Sequence, residues 1–442
     1  MFRVFIISFM IINLVCALEP KKEHSMVKEL NDGLTYIDIN NVKIPVIYEI
    51  SNLLPIGRIS VIFYGGGSVY EKKVALSSFS ADMLERGTKS KGEIKFADEL
   101  ESNAISLNVG SGLETLKFNL EFLKEKKDEA LSALRDLLID SNLTKEAYNQ
   151  TKLNLINYIL SKENDFDYIA SYNLNKMIFK NTPLENSSFG EIKDINNIFL
   201  SDVKDYVKDT LTLENMVVLV GGDLDLESIK LELSNSLAFL KHGKKIEPKT
   251  YLPKIDRNSE ISIVKPTKQA YIYFASPFNF SSYEADLHKA QVMSFIMGSS
   301  GFGSRIMEEI RVKRGLAYSA YFYNSINNIT SNTIGYLQTK IENKDEAIKA
   351  VKETIANFIA NGVSQKELDD AKAYILGSRV LSNETLSQRL NKKYINFNRG
   401  LNLNYDDILT KKIGELSLKE LNSYIKSHKE VNNLGFSIVI NE

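Results

Sequence analysis

The sequence predicts an α+β protein built from two homologous domains, each a mostly antiparallel sheet packed with helices. The chain has 442 residues, and a single hydrophobic core stops growing near about 250–300 residues, so more than one domain is expected. The order of helix and strand patterns in the first half recurs in the second half. Strand patterns mostly follow one another instead of alternating strictly with helices, which favours antiparallel sheets over a doubly wound parallel sheet.

The repeat consists of four segments that occur in the same order in both halves. Residues 115–123 alternate between large apolar and polar side chains, as a half-buried strand does, and an amphipathic helix beginning Lys-Asp-Glu-Ala follows at Lys127. A second strand and the same helix start recur at 333–341 and Lys344. Each half then passes through a capped turn into further helices and ends with a helix and a closing strand. These closing strands lie at residues 216–220 and 434–440.

The N-terminus is typical of an export signal. Arg3 precedes an apolar run at 4–15, and small residues follow at the positions that suit cleavage before Leu18. This run is shorter than the about 20 residues of a membrane-spanning helix. We therefore expect a signal peptide at 1–17 and an exported protein, periplasmic or secreted, without a membrane span after cleavage. An uncleaved anchor and a lipid on Cys16, which is the only cysteine, are the alternatives.

The charge of the chain limits its expected partners, and its composition indicates a linker between two domains. The formal net charge is −1 and no long basic run occurs, so we expect no nucleic-acid partner. A lysine-rich stretch with two prolines at 242–254 has the composition of a linker. The predicted domains are therefore residues 18–241 and 255–442.

Catalytic motifs are not evident from the residue pattern. The four histidines, at positions 24, 242, 288 and 428, are far apart in the sequence, whereas a helical zinc site needs two imidazoles one turn apart. We expect surface or linker histidines, and a split metal site assembled from distant ones is the alternative. Gly65–Ser68 follows a strand but lacks the lysine of a phosphate-binding loop, so it predicts a glycine bend.

Segments in both halves resemble the pitrilysin/insulinase family of zinc peptidases. Residues 65–71 resemble its Gly-Ser-x-x-Glu turn, and residues 75–88 resemble the helix that carries H-x-x-E-H and the Gly-Thr pair after it. In the second half, residues 298–305 and 311–319 resemble its R-x-x-x-G-L-x-Y region. The resemblance covers nearly all of 28–442 and implies that the two domains form a clamshell-like half-chamber.

The positions that bind metal in this family are replaced here. Ser78, Ala81 and Asp82 stand where the family has the first histidine, the glutamate and the second histidine of H-x-x-E-H. The third ligand, a distal glutamate, falls at 157–159, where this chain has Asn, Tyr and Ile. Zinc binding and water activation depend on these groups. The resemblance therefore implies a chain with no metal or cofactor of its own.

The same resemblance assigns substrate binding to Arg311 and Tyr318. In peptidases of the family, an arginine and a tyrosine of the second domain bind the substrate carbonyl opposite the metal. A guanidinium and a phenol hydroxyl are suited to hold a carbonyl and the oxyanion that develops from it. From the residues alone, Arg311 also fits a surface ion pair with Glu308, and Tyr318 fits a half-buried strand residue.

Together these positions imply the non-catalytic, substrate-binding subunit of a heterodimeric zinc metallopeptidase. A homologous partner with H-x-x-E-H would supply zinc, and this chain would not be an active peptidase alone. Peptide substrates would add as a strand to a sheet edge, for which residues 104–109 are the candidate. A non-enzymatic peptide-binding or scaffold protein of the same fold is the alternative. An active peptidase with a rebuilt metal site is a third interpretation.

Overall fold

The computed structural model describes residues 33–256 and 259–442, so the predicted signal peptide and the histidine at position 24 lie outside the described residues. The described residues form two sheets packed with helices, which confirms the predicted α+β class. The strands are β1 (Leu34–Ile39), β2 (Val42–Ile50), β3 (Ile56–Tyr64), β4 (Ser106–Ser111), β5 (Thr115–Leu123), β6 (Met216–Gly222), β7 (Glu260–Val264), β8 (Gln269–Pro277), β9 (Ala317–Ile326), β10 (Ser331–Lys340) and β11 (Gly435–Ile440).

The α-helices are divided between the two halves of the chain. The first half contains α1 (Leu76–Leu84), α2 (Gly92–Ser102), α3 (Lys127–Ile139), α4 (Lys145–Ser161), α5 (Phe166–Ile178), α6 (Ile192–Asn197), α7 (Leu200–Thr210) and α8 (Leu226–Leu237). The second half contains α9 (Tyr283–Ser294), α10 (Arg305–Met307), α11 (Lys344–Asn361), α12 (Gln365–Ser378), α13 (Leu386–Asn398), α14 (Tyr405–Glu415) and α15 (Leu418–Ser427).

The two sheets have the same strand order, which confirms the duplication. The first sheet runs β1-β2-β6-β3-β5-β4 and the second runs β7-β11-β8-β10-β9. In each sheet the closing strand, β6 or β11, pairs parallel with one neighbour and antiparallel with the other. The remaining pairs are antiparallel. β1 is the additional strand of the first half.

Alternation along β3 and β5 gives the first sheet one apolar face and one polar face. The apolar face packs against the helices of the first half and is fully buried at Ile59, Val61, Phe63, Leu116, Phe118 and Leu120. The opposite face carries Arg58, Ser60, Lys117, Asn119 and Glu121. Successive side chains of a strand point to opposite faces, so this division follows directly from the sequence.

Helix α13 of the second half lies across the polar face of the first sheet. Leu390 and Tyr394 pack against a small apolar cluster that includes Ile62 and Leu219. Glu49 of β2 accepts hydrogen bonds from Arg389 Nε (2.9 Å) and Lys393 Nζ (2.5 Å) of the helix. These contacts attach the second half of the chain to the first sheet.

The segment between the two sheets has no helix or strand over 243–256. Its backbone contacts both halves, because Tyr251 N–H donates to the Ile329 carbonyl and Lys254 N–H donates to the Ile178 carbonyl, each at 2.7 Å. Within the described ranges, none of the helices combines the length and apolarity needed to cross a bilayer.

Candidate functional site

Helix α1 is the helix that the resemblance equates with a metal-binding helix. It is buried at eight of its nine positions, including Ser78 and Ala81, whereas Asp82 is half-buried. The Ser78 hydroxyl lies 2.6 Å from the carbonyl oxygen of Ser188 and 3.1 Å from that of Ala75. The first predicted ligand position is therefore paired with the backbone of the same chain.

The segment that pairs with Ser78 also contacts the helix expected to carry the third ligand. Phe189, the residue after Ser188, packs on Tyr158 of α4 with ring centroids 4.7 Å apart. Ile159 packs against the hydrophobic core of the first half, and Asn157 is exposed. The region expected to hold the third ligand thus contains Tyr158, Phe189 and Ile159, whose side chains do not bind zinc.

Asp82 is the only carboxylate among the replaced α1 positions. Burial and the negative charge of Glu85 raise the pKa of Asp82 to about 6, against the lowering effect of Arg86. A raised pKa means that the surroundings disfavour the ionised form, which is the form that binds a metal. One such carboxylate does not replace two imidazoles.

The residues present do not fit a zinc ion. Zinc sites use three or four nitrogen, sulfur or carboxylate ligands, whereas α1 offers a paired hydroxyl at Ser78, a methyl at Ala81 and the carboxyl of Asp82. Among residues 33–256 and 259–442, no group of three or more His, Cys, Asp or Glu side chains is placed to hold a metal.

Two of the histidines have carboxylate partners. His242 Nδ1 lies 2.7 Å from Glu214 Oε1, and His428 Nδ1 lies 2.7 Å from Glu430 Oε1. His428 is only 4% exposed and stacks on Phe278 with centroids 4.5 Å apart. The expectation of surface or linker histidines was therefore wrong for His428, because the packing of Phe278 over it makes it a core residue.

Arg311 and Tyr318 are brought together, and Phe302 joins them. The Arg311 guanidinium carbon lies 4.3 Å from the centroid of the Tyr318 ring and 4.6 Å from that of Phe302. Both rings are largely exposed, Tyr318 at 80% and Phe302 at 70%. We call these three residues the Arg311 cluster. Cation–π contact orients the guanidinium while leaving its N–H groups free to donate.

Arg311 is not part of the surface ion pair that was the alternative interpretation. Its segment, Glu308–Lys313, is a π-helical turn after α10. Nearby ion pairs join Lys313 to Glu309 and Arg314 to Glu353, and within the described part of the chain none joins Arg311 to Glu308. Tyr318 is likewise an exposed residue of β9 and not the half-buried strand residue that was the alternative.

Contacts anchor the chain close to the cluster. Arg305 forms a two-point contact with Glu367, from Nε to Oε1 at 2.6 Å and from a terminal nitrogen to Oε2 at 2.9 Å. Gly298 lies so close to β9 that a Cβ there would be 2.5 Å from the backbone nitrogen and oxygen of Phe322. The residues just before the cluster are thus attached to α12 through Glu367 and to β9 through Phe322.

The strand expected to accept a peptide lies at a sheet edge, as β4 is the last strand of the first sheet. Its Val109 N–H donates to Glu85 Oε1 at 2.9 Å. Glu85 follows α1, which packs beside β4. An added peptide strand would therefore compete with Glu85 for one backbone donor of this edge.

Comparison with family models assigns both halves. The model described as insulinase (peptidase family M16) matches residues 58–191, and the model described as the peptidase M16 inactive domain matches residues 197–375. The chain belongs to peptidase family M16. The inactive-domain description belongs to the model that matches the second half, and in the first half Ser78, Ala81 and Asp82 stand at the positions that resemble metal ligands.

Individual relatives match this chain over nearly its full length. A protein of Helicobacter pylori named non-peptidase homolog YmxG is 44% identical over 411 residues, which cover 93% of this chain and 95% of that protein. The structure of a peptidase M16 inactive domain from Pseudomonas fluorescens has a TM-score of 0.83 at 22% identity. The match covers 92% of this chain and 98% of that one. The structure of a protease from Helicobacter pylori has a TM-score of 0.78 at 14% identity. The match covers 92% of this chain and 99% of that one.

Sequence reasoning missed two residues of this M16 site, Phe302 and Glu85. Phe302 lies between Gly301 and Gly303, which have φ angles of +70° and +86°. An aromatic residue between two glycines was a signal that could have identified an exposed ring. Glu85 gave no such signal, because its contact with Val109 depends on how α1 packs beside β4.

Proposed function

We propose that this chain is the exported, non-catalytic, substrate-binding subunit of a two-part zinc metallopeptidase. A zinc-bearing M16 partner supplies the metal and the general base, and this chain supplies Arg311 and Tyr318. The observation that carries the proposal is the Arg311 cluster, in which both rings are largely exposed and, over the described ranges, no carboxylate forms an ion pair with Arg311. At the replaced metal position, by contrast, Ser78 is buried and paired with the chain's own backbone.

The chemistry of the cluster suits a peptide carbonyl. The guanidinium of Arg311 presents several N–H donors in a fixed plane, and its contacts with Phe302 and Tyr318 limit its rotation. The hydroxyl of Tyr318 donates as well. Both groups strengthen their hydrogen bonds as the carbonyl oxygen gains negative charge, which is how an oxyanion is stabilised.

The relatives support a division of labour between two chains. Helicobacter pylori has both a non-peptidase homologue that is 44% identical to this chain and a protease of the same fold. An organism with both kinds of protein has the components for a mixed pair. The export signal predicted at 1–17 supports a location of the proposed pair outside the cytoplasm.

The experiment is a complementation assay with purified proteins. The chain without residues 1–17 is assayed alone, and then mixed with an M16 homologue that contains H-x-x-E-H, using a pool of internally quenched fluorescent peptides. We expect no cleavage and no stoichiometric zinc for the lone chain, and cleavage by the mixture well above that of the partner alone. Cleavage by the lone chain after chelation, or a mixture no faster than the partner, would contradict the proposal.

A non-enzymatic peptide-binding or scaffold protein is the second candidate. The contact between Glu85 and Val109 favours the scaffold form of this candidate, because that contact occupies a backbone donor that any peptide strand added at β4 would use. A mixture that forms a stable complex without faster cleavage would identify this second function.

A further inference from the structure

A polar cavity of about 520 Å³ lies between α13 and the polar face of the first sheet. Its floor is formed by side chains of β3, β4, β5 and β6, and its roof by residues 387–394 of α13. Neither the Arg311 cluster nor the replaced metal positions line it. The volume falls within the range of about 300–1,000 Å³ that is typical of small-ligand sites.

The walls of this cavity are fixed from both halves of the chain. Glu49 holds Arg389 and Lys393 of α13 at 2.9 and 2.5 Å. Although burial opposes it, the hydrogen bonds from these two cations lower the pKa of Glu49, so the contact persists at neutral pH. The roof is therefore attached to the sheet and the cavity is preformed, which reduces the entropic cost of binding.

Lys117 is the cation of the cavity that has no direct ion pair. Its Nζ lies 4.8 Å from the centroid of the Tyr394 ring. Over the described ranges no carboxylate lies within 4.0 Å of this ammonium, and burial lowers the pKa of Lys117 against the opposing charge of Glu114. A half-buried cation that only a more distant carboxylate offsets is unfavourable, and an anion brought by a ligand would pair with it directly.

Two side-chain amides that line the cavity with Lys117 have their oxygens already bonded. Ser60 Oγ donates to Asn119 Oδ1 at 2.8 Å, so the NH₂ group of Asn119 is free to donate. Gln388 Oε1 accepts from Thr385 N–H at 2.9 Å, which leaves the NH₂ group of Gln388 free in the same way. An ammonium with neighbouring amide donors is the set of groups that recognises a carboxylate.

The remaining polar groups indicate a peptide and a single negative charge. Arg58 and Glu121 neutralise each other at 2.6 Å, so Lys117 is left as one positive charge, which matches a monoanion better than a phosphate dianion. The amide of Asn108 donates to Ser106 Oγ at 2.8 Å, so its side-chain carbonyl can accept from a backbone N–H of a ligand.

We propose that this cavity binds the C-terminal end of a peptide, with the carboxylate paired to Lys117 and held by the amides of Asn119 and Gln388. That the peptide is a substrate or product of the M16 pair rests on the proposed function above. Binding itself requires only this chain.

The test is a fluorescence anisotropy titration of the lone chain without residues 1–17. The probe is a fluorescein-labelled pool of tetrapeptides, randomised at all four positions, with a free C-terminal carboxylate. The comparison probe is the same pool with a C-terminal amide. We expect at least tenfold tighter binding of the acid pool, and competition by acetate at lower concentration than by inorganic phosphate.

The variants separate the cavity from the rest of the molecule. Lys117→Met keeps the aliphatic stem over Tyr394 and should weaken binding of the acid pool at least tenfold. Asn391→Trp, at an exposed position of the roof, should block the cavity without disturbing the core. Lys152→Met is the matched control, because its Nζ lies 5.9 Å from the Tyr148 ring outside the cavity, and it should bind normally.

Four results would overturn the proposal. The two pools could bind equally well, neither pool could bind, phosphate could compete at lower concentration than acetate, or Lys117→Met could bind the acid pool as tightly as the wild type. Arg311→Ala should keep the preference for the acid pool over the amide pool, because the peptide carbonyls that Arg311 would bind are present in both pools. Failure of the peptidase role of Arg311 therefore leaves this result intact, and the two proposals fail separately.

Discussion

The replaced metal helix in the first half and the Arg311 cluster in the second half use polar residues in opposite ways. Around α1, the Ser78 hydroxyl is paired with a backbone carbonyl and the Glu71 carboxylate accepts three hydrogen bonds, from Ala75 N–H, Ser77 N–H and the Ser77 hydroxyl. In the Arg311 cluster, the guanidinium contacts two largely exposed rings, and over the described ranges no ion pair joins it to a carboxylate.

This contrast separates residues that stabilise the fold from residues that are available to a ligand. Buried polar groups need partners, since an unpaired one costs about 1–3 kcal/mol. The chain supplies such partners for Ser77 and Ser78 of α1, whereas the buried Ser80 hydroxyl of the same helix has none. Exposed groups on a rigid backbone are free to bind. We therefore expect substitutions at α1 to change the free energy of unfolding, and substitutions in the Arg311 cluster to change activity in the pair.

The largest expected effect is on catalysis by the pair. Arg311→Ala combined with Tyr318→Phe should lower kcat/KM by about 10²–10³-fold, because loss of one oxyanion donor has an effect of this size. Melting of the lone chain should be nearly unchanged, because Tyr318 is exposed. Lys313→Ala combined with Tyr321→Phe is the control from the same surface. An unchanged kcat/KM in the first variant would remove the assigned role.

The next effect is on stability at α1. Ser78→Ala leaves the Ser188 carbonyl without its 2.6 Å donor and should lower the free energy of unfolding by about 1–3 kcal/mol in urea denaturation. The activity of the assembled pair should stay at the wild-type level. Ser102→Ala, at an exposed hydroxyl near the end of α2, should change stability by less than about 0.5 kcal/mol. Loss of activity without loss of stability in Ser78→Ala would break the contrast.

The charge of Asp82 gives a smaller, pH-dependent effect. Burial and Glu85 raise the pKa of Asp82 to about 6, so the folded state binds more protons than the unfolded state between about pH 4 and 6. Its contribution to stability is thus present at low pH and is lost as pH rises through about 6. Asp82→Asn should be more stable than the wild type at pH 8 by roughly 1–2 kcal/mol, with the difference disappearing near pH 4. A constant difference across this range in thermal melts would refute the titration.

The smallest effect concerns Phe302. A cation–π contact at an exposed site contributes about 0.5–1 kcal/mol, so Phe302→Ala should lower kcat/KM of the pair about two- to fivefold. Phe302→Leu keeps bulk without the aromatic ring and should behave like the alanine variant. Recovery of full activity in the leucine variant would show that Phe302 acts by bulk alone.

Local patterns predicted the elements of this protein well. β5 begins at Thr115 and ends at Leu123, as its alternation indicated, and α3 and α11 begin at Lys127 and Lys344. These features depend on residues a few positions apart, so the sequence contains them directly. The same reasoning found Arg311 and Tyr318 only through a resemblance, because seven residues of spacing do not show that two side chains meet.

Contacts between distant parts of the chain were decided by the tertiary structure. The stacking of Phe302 on Arg311, the bond from Val109 to Glu85 and the position of α13 over Lys117 each join residues whose meeting depends on how whole elements pack.

The sequence by itself determined that this chain is a duplicated α+β protein and that no pair of imidazoles stands one turn apart on its candidate metal helix. Periodicity and residue identity are local properties, so they can be read directly along the chain. Only the folded structure decided which polar groups are paired internally and which face solvent, because burial and pairing are properties of three-dimensional packing.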